Sequence, residues 1–424
     1  MKIFALTCIL ASLSSFAPNL YCSQLKSTPA LPPAKIANQE PFAFLPSVGA
    51  CSFSLKTVLP DVDATGAIII EMDSGRVLYE KNADQPLAMA STTKIMTAIM
   101  VLENADLDDI VTVSKRAASA PKVKMDLTAG EEIPLRGLLH ALMLQSSNDA
   151  AVAIAEHVGG TVEDFCARMT TYAHSLGAVS TIFETPSGLD AGNHQSTAAD
   201  LAILTQYALK NPQFVELINT PEFVTVSNKR TYNIYNKNRL LNEYQGALGV
   251  KTGFTNKAGH CFVGAAKRDD MQLISVVLAS GWGAKGKEQK WVDTKRLLNY
   301  GFENYEIKEV LAHRTPAGTL NVERTKTPQI ELFYDASVTL PLHKNGEDIK
   351  ITAHFPELVK APVLANDVVG EGYVYVNGEL FATVPIQTAS HADRHDLKTS
   401  MEKVIRAFLK LGTSQEINIV LPEF

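Results

Sequence analysis

Two spacings of apolar residues occur along the chain and divide it into parts. The first apolar runs are of strand type, "AIII" (67–70) and "RVLY" (76–79), and they flank "EMDSG", so the pattern predicts a β-hairpin. Apolar residues at helical spacing follow, and strand-type runs return later. Because strands occur at both ends with helices between them, we predict an α+β domain over residues 59–305 whose single sheet joins its two ends.

The helices of this domain are predicted from apolar residues that recur every three or four positions. One helix begins near Ser91 and continues to Leu102, and another begins at Thr197, which has Asp200 three residues later as in a capping box. The remaining predicted helices cover 135–145, 150–160, 162–177 and 291–305. The late strand-type runs are 249–255, 260–267 and 271–280.

The pattern changes again after residue 305. Residues 306–389 consist of short strand-type runs separated by turn signals, and "YVYVNGELFATV" is typical of a hairpin that turns at Asn377-Gly378. We therefore predict a small all-β sandwich domain after the α+β domain.

The final segment, residues 390–424, contains a predicted helix with one apolar face. The face consists of Leu397, Met401, Val404, Ile405 and Phe408, and the interleaved cations are Lys398, Lys403, Arg406 and Lys410. A basic amphipathic helix suits peripheral contact with a membrane, here through residues 397–410. Many amphipathic helices instead pack on their own domain, so both interpretations stay open.

The other end of the chain indicates export. In residues 1–23 Lys2 precedes an apolar run that is too short to span a bilayer, as in a signal peptide. Residues 24–58 are proline-rich and lack a period, which is typical of a linker. We expect a location in the periplasm or cell envelope.

The net charge of −6 argues against a nucleic-acid partner. Cys166 and Cys261 lie in apolar stretches and are expected to be buried free thiols.

Candidate chemistry begins at Ser91 and Lys94, which form a Ser-x-x-Lys tetrad at the start of a predicted helix. Serine is also an ordinary helix N-cap, so the tetrad alone does not distinguish a cap from a nucleophile with its base. The same tetrad occurs at Ser23–Lys26, Ser119–Lys122 and Ser400–Lys403. Only other parts of the sequence can single out Ser91.

Two further motifs follow Ser91, and each occurs only once in the rest of the chain. Ser146-Ser147-Asn148 lies in a break between two helices, and Lys251-Thr252-Gly253 begins a strand-type run. A lysine acts as a base when a second buried cation lowers its pKa, as Lys251 would for Lys94. Ser146 can relay a proton and Asn148 can hold a substrate amide. Thr252 and Gly253 would belong to a strand edge along which a peptide adds by main-chain hydrogen bonds.

These motifs resemble those of the low-molecular-mass penicillin-binding proteins, the D-alanyl-D-alanine carboxypeptidases of peptidase family S11. Further stretches similar to that family are "DSGRVLYEKNAD" (73–84), "PSGLD" (186–190), "STAADLA" (196–202) and "GVKTGFTNKAGHCFVGAA" (249–266). The resemblance covers about residues 60–305, and the β domain and tail also fit the family. It implies the DD-peptidase/β-lactamase fold for the first domain.

The resemblance also implies a function. Ser91 would be acylated by peptidoglycan stem peptides that end in D-Ala-D-Ala, and by β-lactam antibiotics. The N–H of Phe254 would be the second oxyanion donor. Family members often place an arginine for the terminal carboxylate after the strand that matches "LISVVLAS", but this chain has "GWGAKGK" there. We therefore expect Thr252 alone, or Lys285, to bind that carboxylate.

Rival functions differ from this one in identifiable ways. A class A β-lactamase needs a deacylating Glu-x-x-Leu-Asn motif between the second and third motifs, and none is present there. A DD-endopeptidase that cuts peptidoglycan cross-links stays open because the carboxylate anchor is uncertain, and a non-catalytic penicillin-binding sensor is a further alternative. No His-Glu-x-x-His or nucleotide-binding glycine loop occurs, and we expect neither a metal nor a cofactor.

Overall fold

The computed structural model describes residues 58–395 and 397–411. The predicted signal peptide, nearly all of the linker and the end of the tail lie outside the described residues. In residues 58–304, here called the α+β part, the strands are β1 (Gly66–Glu71), β2 (Val77–Lys81), β3 (Ile110–Thr112), β4 (Glu132–Pro134), β5 (Glu222–Val226), β6 (Thr231–Tyr235), β7 (Ala247–Thr255), β8 (Gly259–Arg268) and β9 (Met271–Leu278). The helices are α1 (Lys94–Asn104), α2 (Lys115–Ala118), α3 (Leu135–His140), α4 (Asn148–Gly159), α5 (Val162–Ser175), α6 (Ala198–Leu209), α7 (Pro212–Asn219), α8 (Leu240–Glu243) and α9 (Gly283–Asn304).

The central sheet has the order β2-β1-β9-β8-β7 and is antiparallel throughout. Its first hairpin is β1–β2, and its other three strands come late in the chain. Ala67 of β1 faces Val277 of β9 in the ladder. The predicted sheet that joins the two ends of the α+β part is therefore confirmed, and β7 lies at its edge.

Strand β1 is buried along its whole length because helices cover both faces of the sheet. Side chains of a strand point alternately to opposite faces. Accordingly Ile68 and Ile70 belong to the core shared with the middle helices, whereas Ala67 and Ile69 belong to the core under α9. This double coverage explains why "AIII" is an unbroken apolar run rather than an alternating one.

The predicted helices are present, but the structure differs from the prediction in several places. Helix α9 begins at Gly283, eight residues before the predicted start at 291. The apolar pattern did not show this first part, because the residues it buries are Gly286 and Lys290 and not large apolar side chains. Helices α2, α7 and α8 and the strand pairs β3–β4 and β5–β6 were not predicted. In β5 and β6 the buried or half-buried positions alternate with exposed ones, and the exposed positions include Val224 and Val226, which blur the alternation of apolar and polar residues.

Residues 305–395, here called the β part, confirm the predicted all-β sandwich. The strands are β10 (Tyr305–Leu311), β11 (Pro316–Glu323), β12 (Gln329–Tyr334), β13 (Val338–His343), β14 (Ile349–His354), β15 (Leu358–Lys360), β16 (Val368–Val376) and β17 (Glu379–Thr388). A two-stranded sheet, β10-β13, and a six-stranded sheet, β14-β16-β17-β12-β11-β15, share one apolar core. Asn377-Gly378 forms the predicted turn between β16 and β17.

Polar contacts tie the β part to the α+β part. The Arg76 guanidinium donates to the carboxylate of Glu347, with one N–O distance of 2.8 Å, and also to the Pro341 carbonyl. Lys344 donates to the carbonyls of Phe302 and Glu303 at 2.9 and 2.8 Å. These carbonyls lie in the last turn of α9, where a cation is favourable for the helix dipole.

The tail forms helix α10 (Leu397–Leu411). Met401, Val404, Ile405 and Phe408, four members of the predicted apolar face, are exposed, and Phe408 is 78% exposed. This exposure argues against the interpretation that the face packs on the β part. Within residues 58–395 and 397–411, no helix combines the length and the apolar character that crossing a membrane requires.

Candidate active site

Ser91 lies in a short 3₁₀ turn, Ala90–Thr93, that leads into α1. Its Oγ accepts a hydrogen bond from Lys94 Nζ at 2.9 Å and donates to the Ser187 carbonyl at 3.3 Å. Neither this turn nor α1 receives a side-chain capping bond. The structure therefore favours the nucleophile–base interpretation of the tetrad over the capping one.

Lys94 is completely buried at the first position of α1. Besides Ser91 Oγ, its amine is hydrogen-bonded to Asn148 Oδ1 at 2.8 Å and to the Ser187 carbonyl at 2.6 Å. Burial lowers the pKa of Lys94 well below its usual range, and the nearby charge of Lys251 lowers it further. Three donated bonds use all three protons of the ammonium form. The lowered pKa favours loss of one of them, and the neutral amine can then accept the Ser91 proton as a general base.

The other described tetrads lack this arrangement. Ser119 Oγ donates to the Lys115 carbonyl at 2.7 Å and is exposed, and Ser400 Oγ lies 3.2 Å from the His395 ring. Ser23 and Lys26 lie outside the described residues. Within residues 58–395 and 397–411, Ser91 alone has its hydroxyl bonded to the lysine of its own tetrad.

The second motif follows a π-helical turn, Ala141–Gln145. Ser146 ends this turn with φ of +67° and lines the cavity in front of Ser91. Asn148 begins α4 and is nearly buried, with Oδ1 bonded to Lys94 and Nδ2 donating to the Pro121 carbonyl at 3.1 Å. Both ends of the Asn148 amide therefore orient the base and the adjacent loop. Nδ2 carries a second N–H, so Asn148 can donate to a substrate while it keeps both of these bonds.

The third motif lies on β7, the sheet edge. Lys251 is buried, and its amine donates to the Thr252 carbonyl at 3.0 Å. Burial, with smaller contributions from Lys290 and Lys237, lowers the pKa of Lys251 to about 7. Thr252, Gly253 and Phe254 follow directly and line the cavity.

Two glycines allow the backbone to close around Ser91. A Cβ on Gly253 would lie 3.0 Å from the Ser91 nitrogen and 3.1 Å from the Met89 carbonyl oxygen. On Gly188, where φ is +84°, it would lie 1.9 Å from the Ala90 carbonyl oxygen. Strand β7 on one side and the 186–190 segment on the other thus pack directly against the turn that carries the nucleophile.

The cavity beside Ser91 has a volume of about 410 Å³. Ser146, Thr252 and Phe254 line it near the nucleophile. The rest of its cationic and aromatic lining comes from Lys237, Arg239, His260, Lys287, Lys290 and Trp291. Among its described lining residues there is no aspartate or glutamate, so the cavity suits an anionic ligand.

Of the two expected carboxylate-binding residues, Thr252 lines the cavity and Lys285 does not. The Lys285 side chain is 85% exposed, and its amine lies 3.9 Å from the Asp63 carboxylate. Lys290 does line the cavity. This side chain is buried, lies with its amine 5.1 Å from the Trp291 ring centroid, and has a pKa that burial lowers to about 8. It stays largely protonated near neutral pH.

Sequence reasoning missed Lys290 and Ser187 for different reasons. Lys290 lies in a run of lysines whose buried member cannot be identified before the start of α9 is known. Ser187 contributes its backbone carbonyl to Lys94, and a carbonyl has no sequence signature. The only available signal was the stretch "PSGLD", which carried no assigned role.

Comparison with known proteins agrees with this geometry. Residues 54–281 match the family model of D-alanyl-D-alanine carboxypeptidase, peptidase family S11, and residues 305–394 match that of the penicillin-binding protein 5 C-terminal domain. The chain is 32% identical over 364 residues to the D-alanyl-D-alanine carboxypeptidase DacF of Bacillus subtilis, covering 84% of this chain and 91% of that one. It is 33% identical over 364 residues to the D-alanyl-D-alanine carboxypeptidase DacC of Escherichia coli, covering 81% and 88%.

Among solved structures, penicillin-binding protein 5 of Haemophilus influenzae superposes with a TM-score of 0.67 at 28% identity, covering 80% of this chain and 99% of that one. The D-alanyl-D-alanine carboxypeptidase DacD of Francisella tularensis has a TM-score of 0.65 at 25% identity, covering 82% and 97%. Both likenesses extend over the α+β part and the β part together.

Behind the nucleophile, His194 supports the 3₁₀ turn. The buried ring accepts from the Glu184 N–H at Nδ1, 3.0 Å, so its proton lies on Nε2, which donates to Thr93 Oγ1 at 2.8 Å. Thr93 Oγ1 in turn donates to the Ala90 carbonyl at 2.8 Å. Only a neutral His194 can satisfy both contacts, and burial lowers its pKa to about 4.

We predict that His194 makes the protein acid-labile. Its pKa is about 4 in the folded chain, against the ordinary 6.5, so its contribution is complete above pH 6.5 and is lost as the pH falls toward 4. The loss amounts to at most about 3 kcal/mol of unfolding free energy. Between these pH values, the free energy of unfolding measured with denaturant should change less with pH for His194→Gln than for the wild type. His391→Gln, at a 68% exposed side chain, should keep the wild-type slope; equal slopes in all three proteins would contradict the prediction.

Proposed function

Because the chain belongs to the D-alanyl-D-alanine carboxypeptidase family S11, we propose that this serine-type carboxypeptidase acts through an acyl-enzyme on Ser91 and removes the terminal D-alanine from peptidoglycan stem peptides. The observation that carries the proposal is the 2.9 Å hydrogen bond between Ser91 Oγ and the buried Lys94 amine. It joins a nucleophile to a group that can take its proton.

In the acylation step, Ser91 Oγ attacks the carbonyl carbon of the penultimate D-alanine while its proton moves to the neutral Lys94 amine. The N–H groups of Ser91 and Phe254 stabilise the oxyanion that develops. The closeness of Gly253 to the Ser91 nitrogen supports this pairing of donors, because it brings the β7 backbone beside the turn. The contacts that a Cβ on Gly253 would make with the Ser91 nitrogen and the Met89 carbonyl oxygen leave no room for a side chain at position 253.

Collapse of the intermediate breaks the amide bond and releases D-alanine as an amine. Its nitrogen takes a proton that passes from Lys94 through Ser146, and Lys251 favours the release because a second cation disfavours a protonated Lys94. Water then attacks the ester, with Lys94 again accepting the proton, and restores Ser91. Each proton is returned, so no cofactor is needed to balance the reaction.

The terminal carboxylate of the substrate distinguishes a carboxypeptidase from the endopeptidase alternative. We propose that Thr252 and Lys290 bind this carboxylate, since both line the cavity and Lys290 supplies a protonated, buried amine there. This assignment replaces Lys285, and an anchor for a terminal carboxylate favours a carboxypeptidase over an endopeptidase. Because Lys94 is hydrogen-bonded to both Ser91 and Asn148, a non-catalytic sensor has little support.

We predict that Ser91→Ala abolishes both covalent labelling by a fluorescent penicillin and release of D-alanine from a D-Ala-D-Ala-ended pentapeptide, because the attacking oxygen is lost. Lys94→Ala keeps that oxygen and loses the base, so its acylation rate should fall by about 10²–10⁴-fold. Intact-protein mass spectrometry and a D-alanine assay measure the two outcomes. Ser119→Ala is the matched control and should behave as the wild type. Labelling that persists in Ser91→Ala would refute the proposal.

We predict that Lys290→Met lowers kcat/KM for the D-Ala-D-Ala peptide by about 10–100-fold, the usual range for a lost hydrogen bond to a charged group. The effect should come mainly from a higher KM, and Lys290→Arg should restore part of it. Lys285→Met is the control on the same helix and should leave both constants unchanged. If the Lys290→Met protein folds, as shown by its melting curve, and keeps the wild-type KM, then Thr252 binds the carboxylate without it.

We further propose that the protein is exported to the cell envelope and contacts a membrane peripherally through α10. The support is the exposed apolar face of this helix, next to the exposed cations Lys398, Lys403 and Arg406. Burial of such a face in the lipid headgroup region adds an apolar contribution to the attraction between the cations and anionic lipids.

We predict that the full-length protein sediments with vesicles containing anionic lipid at low salt, and that Val404→Glu weakens this binding because it places a carboxylate on the apolar face. Val368→Glu is the matched control, since Val368 on β16 is as exposed as Val404, 62% against 65%. Both variants should keep penicillin labelling. Equal sedimentation of the two variants, or none for the wild type, would exclude the membrane contact.

A further inference from the structure

The active-site cavity holds more positive charge than one terminal carboxylate can balance. Besides Lys290, three other cations line it: Lys237, Arg239 and Lys287. Arg239 is compensated, because its guanidinium pairs with the carboxylates of Glu243 and Glu288, each at 2.8 Å. In the described part of the chain no carboxylate lies within ion-pair distance of the Lys237 or Lys287 amine.

Two of the cations, Lys287 and Lys290, lie where α9 lines the cavity, here called the cationic end. Lys287 is one helical turn before Lys290 on α9, so the two lysines project from the same side of that helix. The Arg239 guanidinium lies 5.7 Å from the Trp291 ring centroid and pairs with Glu288, which places it beside the same turn. The remaining cation, Lys237, lies elsewhere, because its N–H donates to the Leu144 carbonyl at 3.1 Å, next to Gln145 and Ser146.

The cationic end receives the leaving group if Lys290 binds the terminal carboxylate, as proposed above. That carboxylate belongs to the amino acid that departs when Ser91 is acylated. A departing D-alanine presents only a methyl side chain to this region. The uncompensated Lys287 next to Lys290 is therefore a cation that D-alanine does not use.

We propose that this end of the cavity accepts a leaving D-amino acid that bears a second carboxylate on its side chain, with Lys287 as the residue that determines the preference. The inference rests on the proposed function, and the chemistry is unchanged. The same amide bond breaks, the acyl group passes to Ser91 Oγ, and the protonated amine departs with one more negative charge than D-alanine. The substrate class is thus a peptide that ends in D-alanine followed by an acidic D-residue.

The test compares two peptides that differ only in this charge, diacetyl-L-lysyl-D-alanyl-D-glutamate and its D-glutamine counterpart. Since glutamate and glutamine have the same shape, the ratio of their kcat/KM values isolates the carboxylate. For the wild type at low salt we expect a ratio of about five in favour of D-glutamate, the upper range for an exposed ion pair. Because exposed charges are screened, the ratio should approach one at about 0.5 M NaCl.

Variants locate the effect. Lys287→Gln should bring the ratio close to one, and Lys287→Glu should invert it. Lys285→Gln removes the same charge two residues away on the same helix but outside the cavity, so it should keep both the wild-type ratio and the wild-type activity. If Lys285→Gln lowers the ratio as much as Lys287→Gln, a general field and not this subsite is responsible, and the inference fails.

The diacetyl-L-lysyl-D-alanyl-D-alanine peptide distinguishes a failure of the proposed function from a failure of the acidic subsite. If the wild type does not hydrolyse it, the proposed function itself is wrong. If the wild type hydrolyses it but gives a D-glutamate to D-glutamine ratio near one at low salt, the carboxypeptidase assignment stands and only the acidic subsite is refuted.

Discussion

A lysine amine without access to water is the constraint on which this active site depends. Lys94 is completely buried, and an unpartnered buried amine is strongly unfavourable. Its hydrogen bonds come from three separate segments: the turn that holds Ser91, the start of α4 at Asn148, and the loop at Ser187. Displacing any of the three would leave the amine unsatisfied. The same contacts that stabilise the fold around α1 therefore hold the nucleophile beside its base.

The sheet supplies the remaining wall. Because β1 pairs with β9, strands from the two ends of the α+β part are neighbours, and β7 becomes an edge strand next to the Ser91 turn. Gly253 permits van der Waals approach between that edge and the turn. Lys251 points its amine into the buried layer, where its charge disfavours protonation of Lys94. The positions of the nucleophile, the base and the oxyanion donors thus depend on the pairing of β1 with β9 and on the absence of a side chain at Gly253.

Charge then selects what the cavity can hold. Where α9 lines it, Lys287 and Lys290 make the wall cationic, which suits a carboxylate. Lys290 is partly desolvated there, so an ion pair with a substrate is less weakened by water than one formed at the surface. His194 contributes from behind the site by keeping the 3₁₀ turn in place while it is neutral.

The sequence by itself determined the parts of the protein that repeat a local pattern or a motif. The hairpin at Gly66–Lys81, the middle helices, the β sandwich and the amphipathic tail all follow from the spacing of apolar residues, because that spacing reflects which face each element buries. The three motifs likewise singled out Ser91, Lys94 and Lys251, since order and spacing restrict chance matches. Only the tertiary structure decided that the Ser187 carbonyl binds Lys94, that α9 begins at Gly283, and that Lys290 and not Lys285 faces the cavity. A carbonyl is present at every residue, and a run of lysines on a helix differs only in which side chain points inward, so neither fact exists until the chain has folded.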